Sequence, residues 1–352
     1  MRTWFLHVVW ALALGGGVAA EARADAPASA SAAEKVVLAH YMPWYETPAR
    51  GGRWGSHWTG PRRQHDPDKT NAKGLPDIWS HYHPLIGPYD SADPAVLECQ
   101  LLQMRLAGID GVIVDWYGIG PTADHPSIHE ATRALFAQTR RLGMRFVACF
   151  EDRSIDLMVK RGDLRAEDVG AHLARTFAWM EREWFAAENY QRVGGRPLLL
   201  NFGPIYLENA EVWRRAFAEA GVRPAFFTLP HLRRVAGADG GFPWVHWPPW
   251  EKETEPARIK ARLAEIYRGM GGPEEVIPSA YPGFNDIYDG VLDPTHRELA
   301  HRDGATLRES LEVCLEGPWP LAQLITWNDY GEGTMIEPTH EFGYLFLAII
   351  QE

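Results

Sequence analysis

Two carboxylates three positions apart, Asp329 and Glu332, lie in the segment Ile325–Pro338, ITWNDYGEGTMIEP. An apolar run beginning at Leu321 leads straight into them, and Gly331 and Gly333 flank Glu332 with backbone freedom that a strand does not need. Ionised carboxylates resist burial, so an apolar strand that ends in two of them is an odd thing to build as core. Held close together, such a pair can carry out glycosidic bond cleavage. One carboxyl stays protonated and donates to the leaving oxygen, and the other stays ionised as base or nucleophile. A Gly-rich turn whose acidic residues cap a following helix is the plainer alternative, and the rest of the chain decides between them.

Apolar runs alternate with helical patterns along the chain. Strands are expected at Val36–Tyr41, Gly111–Asp115, Arg145–Phe150, Pro197–Asn201, Ala225–Leu229, Pro243–Trp247, Val276–Ala280 and Leu321–Trp327. Helices are expected from Asp93-Pro94 through Leu106, with Asp93 as N-cap, and over His129–Leu142, 166–185, Ala210–Ala220, Pro256–Met270 and Thr306–Leu315. Eight strands separated mostly by helices predict a single α/β domain, a (β/α)₈ TIM barrel over residues 35–352. No G-x-G-x-x-G follows the first strand, which speaks against a dinucleotide-binding sheet.

A barrel gathers its chemistry at the C-terminal ends of its strands. Those ends carry Tyr41-Met-Pro-Trp44-Tyr, Asp115-Trp116-Tyr117, Glu151-Asp152, Asn201, His231, His246-Trp247, Tyr281 and finally the carboxylate pair. Ring faces and hydrogen-bonding groups together suit a carbohydrate cleft, although any single Trp more often fills a core. The long first loop adds Arg53-Trp-Gly-Ser-His57-Trp58, which suits a lid or an outer sugar subsite as well as it suits a loop held down by buried Trp.

With 15 Trp and aromatics at 12%, the 352-residue chain has ample stacking surface, and its formal charge of −11 argues against nucleic acid and anionic membranes. The N-terminus reads as a secretory signal. Arg2 precedes an apolar stretch, Phe5–Leu14, and Ala22-Arg-Ala24 offers a cleavage site. An exported protein, periplasmic or extracellular, is expected, with a flexible lead-in over 25–34 and no membrane anchor. Cys99, Cys149 and Cys314 match no metal or disulfide spacing and read as small buried hydrophobes. His65-Asp66-Pro-Asp68 lacks a further ligand at metal spacing, so no metal is expected.

The segments AHYMPWY (39–45), HPLIGPYDSADPAVL (83–97), AGIDGVIVDWYG (107–118) and ITWNDYGEGTMIEP carry a resemblance that spans the chain after its signal. It resembles glycoside hydrolase families 71 and 99 and the bacterial proteins described as 71/99-like. Family 99 implies endo-acting α-mannosidases with a Trp-His spacer between two catalytic glutamates, whose places are taken here by Asp329 and Glu332. Family 71 implies action on α-1,3-glucan and a motif similar to WNDYGE. The chain joins a Gly-Thr-x-Ile-Glu-Pro tail of the first kind to an Asp-Tyr-Gly-Glu core of the second, and its Asp is one methylene shorter than the family-99 Glu.

In this reading Glu332 is the general acid and Asp329 the general base, acting on a water or on the substrate's 2-hydroxyl. Glu337 is expected to be a supporting carboxylate outside the reaction. The substrate walls are assigned to Tyr41, Trp44, His57, Trp58, Trp116, Tyr117, Glu151, Asn201, Trp247, Tyr281, Trp327 and Asn328. No cofactor is needed, because two carboxyl groups suffice. The expectation is a monomer that binds an oligo- or polysaccharide of α-mannan or α-glucan type. The alternatives are a non-catalytic sugar-binding barrel, which has no need for an acid/base pair, and a polysaccharide-biosynthesis protein resembling glycosyltransferases, whose nucleotide-sugar donors are cytosolic.

Overall fold

The computed structural model describes residues 35–245, 255–288 and 298–352. The expected signal and lead-in, and with them His246, Trp247 and Trp250, lie outside the described residues.

Eight parallel strands form the centre: β1 (Val36–Tyr41), β2 (Gly111–Trp116), β3 (Arg145–Phe150), β4 (Arg196–Asn201), β5 (Ala225–Thr228), β6 (Gly240–Gly241), β7 (Ser279–Ala280) and β8 (Leu321–Leu324). They pair in the order β6-β5-β4-β3-β2-β1-β8-β7. The ring is completed where Gly241 bridges Val276 in parallel, with Gly241 N–H donating to the Glu275 carbonyl at 2.8 Å and Ile277 N–H to the Gly241 carbonyl at 3.1 Å. That last joint is tight. A Cβ on Gly240 would overlap both the Phe227 ring and the Glu275 carbonyl, so only glycine closes the wall there.

Helices α1 (Pro94–Leu106), α2 (His125–Leu142), α3 (Arg153–Arg161), α4 (Val169–Met180), α5 (Ala210–Ala220), α6 (Pro256–Met270), α7 (Ala305–Glu316) and α8 (Leu345–Gln351) are joined to these strands in sequence. Asp93 caps α1 by accepting from Ala95 N–H, and Pro94 occupies the first turn, where a missing N–H costs nothing. α3 was not foreseen from the sequence. It starts directly after Glu151-Asp152 without a capping hydrogen bond and is only nine residues long, so no start signal marks it. The sixth strand lies at the two glycines, and Pro243–Val245, the described part of the expected Pro243–Trp247, is not strand, because apolar composition pointed past the short segment that makes the barrel contact.

Strand alternation sorts the core into two compartments. Leu38, Ile113, Val147, Leu198, Ala225 and Leu321 pack inside the barrel. Their neighbours Ala39, Val112, Val114, Phe146 and Leu199 pack outwards beneath the helices.

A buried carboxylate ties down the loop after β4. Asp152, fully buried, accepts hydrogen bonds from the backbone N–H groups of Ile205, Tyr206 and Leu207 at 2.7–2.9 Å. Removing the carboxylate takes the acceptor from three backbone N–H groups, that of buried Leu207 among them. Asp152→Ala should therefore lower the unfolding free energy by roughly 3–5 kcal/mol, and Asp152→Asn, which keeps one oxygen in place, by clearly less. Urea denaturation of the two variants against the parent protein checks the order and size of the losses.

Candidate active site

β8 ends at Leu324, and the chain then folds into a compact turn that presents Asp329 and Glu332. The turn is fixed from within. Thr326 Oγ1 accepts from Asp329 N–H at 2.7 Å, and Asp329 Oδ1 accepts from Glu332 N–H at 2.9 Å. Asn285 N–H donates to the Glu332 carbonyl and Ile287 N–H to that of Gly331, which ties the turn to the segment after β7. A Cβ on Gly331 would meet the Tyr288 hydroxyl, so a bare backbone at 331 is what lets that tyrosine lie against the turn.

Beneath the turn is a buried polar network. Glu337 accepts from Gln100 Nε2 at 2.6 Å and from the hydroxyls of Tyr89 and Tyr330 at 2.9 Å each. Asn328 grips the chain after β1 by accepting from Met42 N–H and donating to Met42 O, and it also donates to the Tyr89 hydroxyl. Burial pushes Glu337 up to about 7 against the pull of its hydrogen-bond donors, Gln100 foremost. It supports Tyr330, the residue between Asp329 and Gly331, and lies outside the cavity.

The cavity above has a volume of about 620 Å³. Of the residues assigned from sequence, Asp329, Glu332, Trp44, His57, Tyr117 and Glu151 line it together. His57 stacks on Trp44 with ring centroids 4.5 Å apart and faces Asp124 at 3.5 Å. The other wall candidates among the described residues are elsewhere. Tyr41 donates to Gln100 Oε1 at 2.6 Å on the helix side of β1. Trp58 donates to the Tyr89 carbonyl, and Trp116 packs against Trp184 and Trp179. Asn201 donates to the Phe150 carbonyl, Tyr281 is buried beside Ile325, and Trp327 is fully buried in the core. Asn328 holds the backbone of the chain after β1, as described, and does not line the cavity.

The cause is strand parity. Inside the barrel face His40, Asp115 and Phe202, each one residue from the sequence-stated Tyr41, Trp116 and Asn201. Counting by twos from the inward Leu38, Ile113 and Leu200 would have found them. Trp244, Trp79 and Tyr288 were also missed, since no periodic signal marks them. His65 pairs with Asp77 at 2.8 Å, and the described residues hold no group of three or more His, Cys, Asp or Glu placed to bind a metal. All three cysteines are free, and Cys149 reaches the cavity floor.

Five carboxyl groups line this space; Asp156 is paired with Lys160 at 2.6 Å, and the other four are shifted upwards. Burial, and after it the neighbouring Asp329, pushes Glu332 well above the carboxylate range, while the Trp244 indole N–H, donating to Glu332 Oε2 at 2.9 Å, opposes the shift. Burial also raises Asp329, to about 6, held back by the Glu332 backbone N–H and by His57. Glu151 is pushed to about 7 by burial with Arg153 opposing, and Asp115 is raised by burial and then by Glu151. The environment thus separates Glu332, the more readily protonated, from Asp329, the more readily ionised. That division lets one carboxyl give a proton while the other takes one.

Such shifts also bear on stability. A carboxyl whose pKa rises from 3.8 to about 6 on folding binds its proton more tightly in the folded state, so folding loses stability as pH climbs through that window and does not regain it above. Asp329→Asn removes the buried charge and keeps an oxygen for Glu332 N–H. Its gain in stability should be on the order of 1–3 kcal/mol at pH 7.5 and close to nil at pH 4. Thermal unfolding of parent and variant at the two pH values reads this directly.

Residues 32–221 match the family model of glycosyl hydrolase family 99. The glycoprotein endo-alpha-1,2-mannosidase of Rattus norvegicus is 37% identical over 89 residues, covering 23% of this chain and 19% of that enzyme. The matched stretch thus spans about a fifth of that relative's length. Among solved structures, the GH99 endo-alpha-mannosidase from Bacteroides thetaiotaomicron aligns with a TM-score of 0.64 at 17% identity, covering 90% of this chain and 95% of that one. A structure described as a glycoside hydrolase-like protein aligns with a TM-score of 0.61 at 13% identity. At such identities the likeness is one of fold.

Proposed function

The chain belongs to glycosyl hydrolase family 99, and from that premise we propose that it hydrolyses internal α-linkages of mannose-containing glycans, with Glu332 as general acid and Asp329 as general base. The observation that carries this reading is the buried pair at the end of β8, bonded backbone to side chain and pushed to different proton affinities in one cavity. Glu332 gives its proton to the glycosidic oxygen as the bond from that oxygen to the anomeric carbon breaks. Asp329 takes a proton from a water or from the sugar's own 2-hydroxyl, whichever attacks that carbon, and in the latter case a water then attacks the anomeric carbon and breaks its new bond to O2. Trp44, Tyr117 and Trp244 give the sugar apolar faces, and Glu151 and Asp115 give it hydrogen-bond partners.

Export belongs to the same reading, supported by the charged, apolar and small-residue order of residues 2–24. Action as a monomer on a polysaccharide outside the cytoplasm completes it. Incubation with purified α-1,2-linked mannan and, in parallel, α-1,3-glucan tests the substrate class, with products followed by chromatography and the first-formed anomer by NMR. Release of oligosaccharides from the mannan is the expected result, and no release from any α-mannoside would overturn the reading.

A further inference from the structure

The floor of the cavity holds a polar side chain that the acid/base chemistry does not use. His40, on β1, is 1% exposed and lines the cavity. Its Nε2 lies 2.7 Å from Gln323 Oε1. The amide of Gln323 cannot be turned round, because its Nε2 donates to two carbonyls, Pro243 O at 2.7 Å and Ile277 O at 3.1 Å. An amide oxygen only accepts, so the proton between the two side chains belongs to His40 Nε2. In a neutral imidazole the other nitrogen is then a bare lone pair. The ring is neutral at ordinary pH, since burial lowers its pKa to about 4 against the pull of Gln323.

That lone pair on Nδ1 has no hydrogen-bond partner among the described residues, and it belongs to a ring that lines the cavity. The ring itself is clamped, stacked with Phe242 at 6.0 Å and edge to face with Trp244 at 4.9 Å. Trp244 is the residue whose N–H holds Glu332, so the His40 ring packs on a side chain bonded to Glu332, in the cavity that Asp329 and Glu332 also line.

We propose that His40 is a substrate-recognition residue, whose Nδ1 accepts a hydrogen bond from one hydroxyl of the glycan in the cavity. The proposal rests on reading the cavity as a glycan site. A fixed acceptor with no donor form discriminates sharply. It takes a hydroxyl, and it is left unpaired by a hydrogen or a fluorine at the same carbon. A carboxylate in its place would accept as well, but would crowd a further carboxyl group in beside Asp115, Glu151, Asp329 and Glu332.

The test uses α-1,2-mannotetraose and its monodeoxy and monofluoro analogues. In the parent protein one position should lose about 10–100-fold in kcat/KM when its hydroxyl is replaced by hydrogen, and as much when it is replaced by fluorine. His40→Phe should lose a similar factor on the intact sugar and show no further loss with that analogue pair. His40→Gln, which keeps a donor for Gln323, serves the same comparison should phenylalanine unsettle the fold. Analogue penalties that persist unchanged in both variants would overturn the proposal. Independently, ¹⁵N NMR of the unliganded parent protein should show His40 protonated on Nε2 alone from pH 5 to 8, and a proton on Nδ1 would overturn the proposal whatever the substrate. Failure to cleave any α-mannoside would instead strike the functional reading, and the tautomer measurement would still decide the state of His40.

Discussion

Glu332→Gln should lower turnover of an α-linked mannan by about 10²–10⁴-fold, the usual worth of general acid–base assistance. The departing sugar alkoxide needs a proton, and in this cavity burial, and after it Asp329, drives Glu332 towards keeping one. The amide oxygen can still accept from the Trp244 indole, so the loss belongs to the proton and not to the packing. An aryl mannoside with an acidic phenol departs without help and should keep most of its rate in the variant. Parallel assays on the two substrates separate the outcomes, and equal losses on both would assign the acid elsewhere. The pH profile gives a second reading. Loss of the Glu332 proton limits the parent enzyme on the alkaline side, so that limb should vanish from the residual activity of the variant.

Asp329→Asn should behave otherwise, with a loss of about 10²–10⁴-fold on natural and aryl substrates alike. The base is needed whatever leaves, because a water or the 2-hydroxyl still has to surrender a proton. Asparagine keeps an oxygen for the Glu332 N–H, so the turn survives and the effect is chemical. In the parent protein the acid limb of kcat/KM should lie near pH 6, where Asp329 takes up its proton and ceases to be a base. Below that value activity falls although folding stability improves. An acid limb near pH 4, with the same loss in Asp329→Asn, would mean that burial does not govern this carboxyl.

The barrel was legible because the inward and outward faces of β1 to β4 are written in aliphatic residues, and because Asp93-Pro94 marks a helix start with known chemistry. The carboxylate pair was legible for the opposite reason, as polar residues where an apolar strand should have continued. What failed was the step from strand end to side-chain direction. Tyr41 and Trp116 look more like sugar platforms than His40 and Asp115 do, yet the pleat turns the aromatics towards the helices. Residues brought in by irregular loops, such as Trp244 and Tyr288, obey no period at all, and only the closed ring places them over Glu332. β6 escaped because two glycines carry no hydrophobic signal, although their lack of side chains is what completes the wall.

The contact between Gly331 and Tyr288 constrains how this site and those of its relatives can be interconverted. The family-99 pattern places an imidazole between its two catalytic residues, where this chain has bare backbone. Here the space is already taken by a phenol from another part of the chain, so the two designs compete for one point. Installing histidine at 331 in the present background would drive the acid/base turn away from Tyr288, whereas removing the tyrosine first would leave only a vacancy. A side chain at 331 therefore requires the Tyr288 phenol to shift or be exchanged, and a survey of homologues should find the two positions changing together.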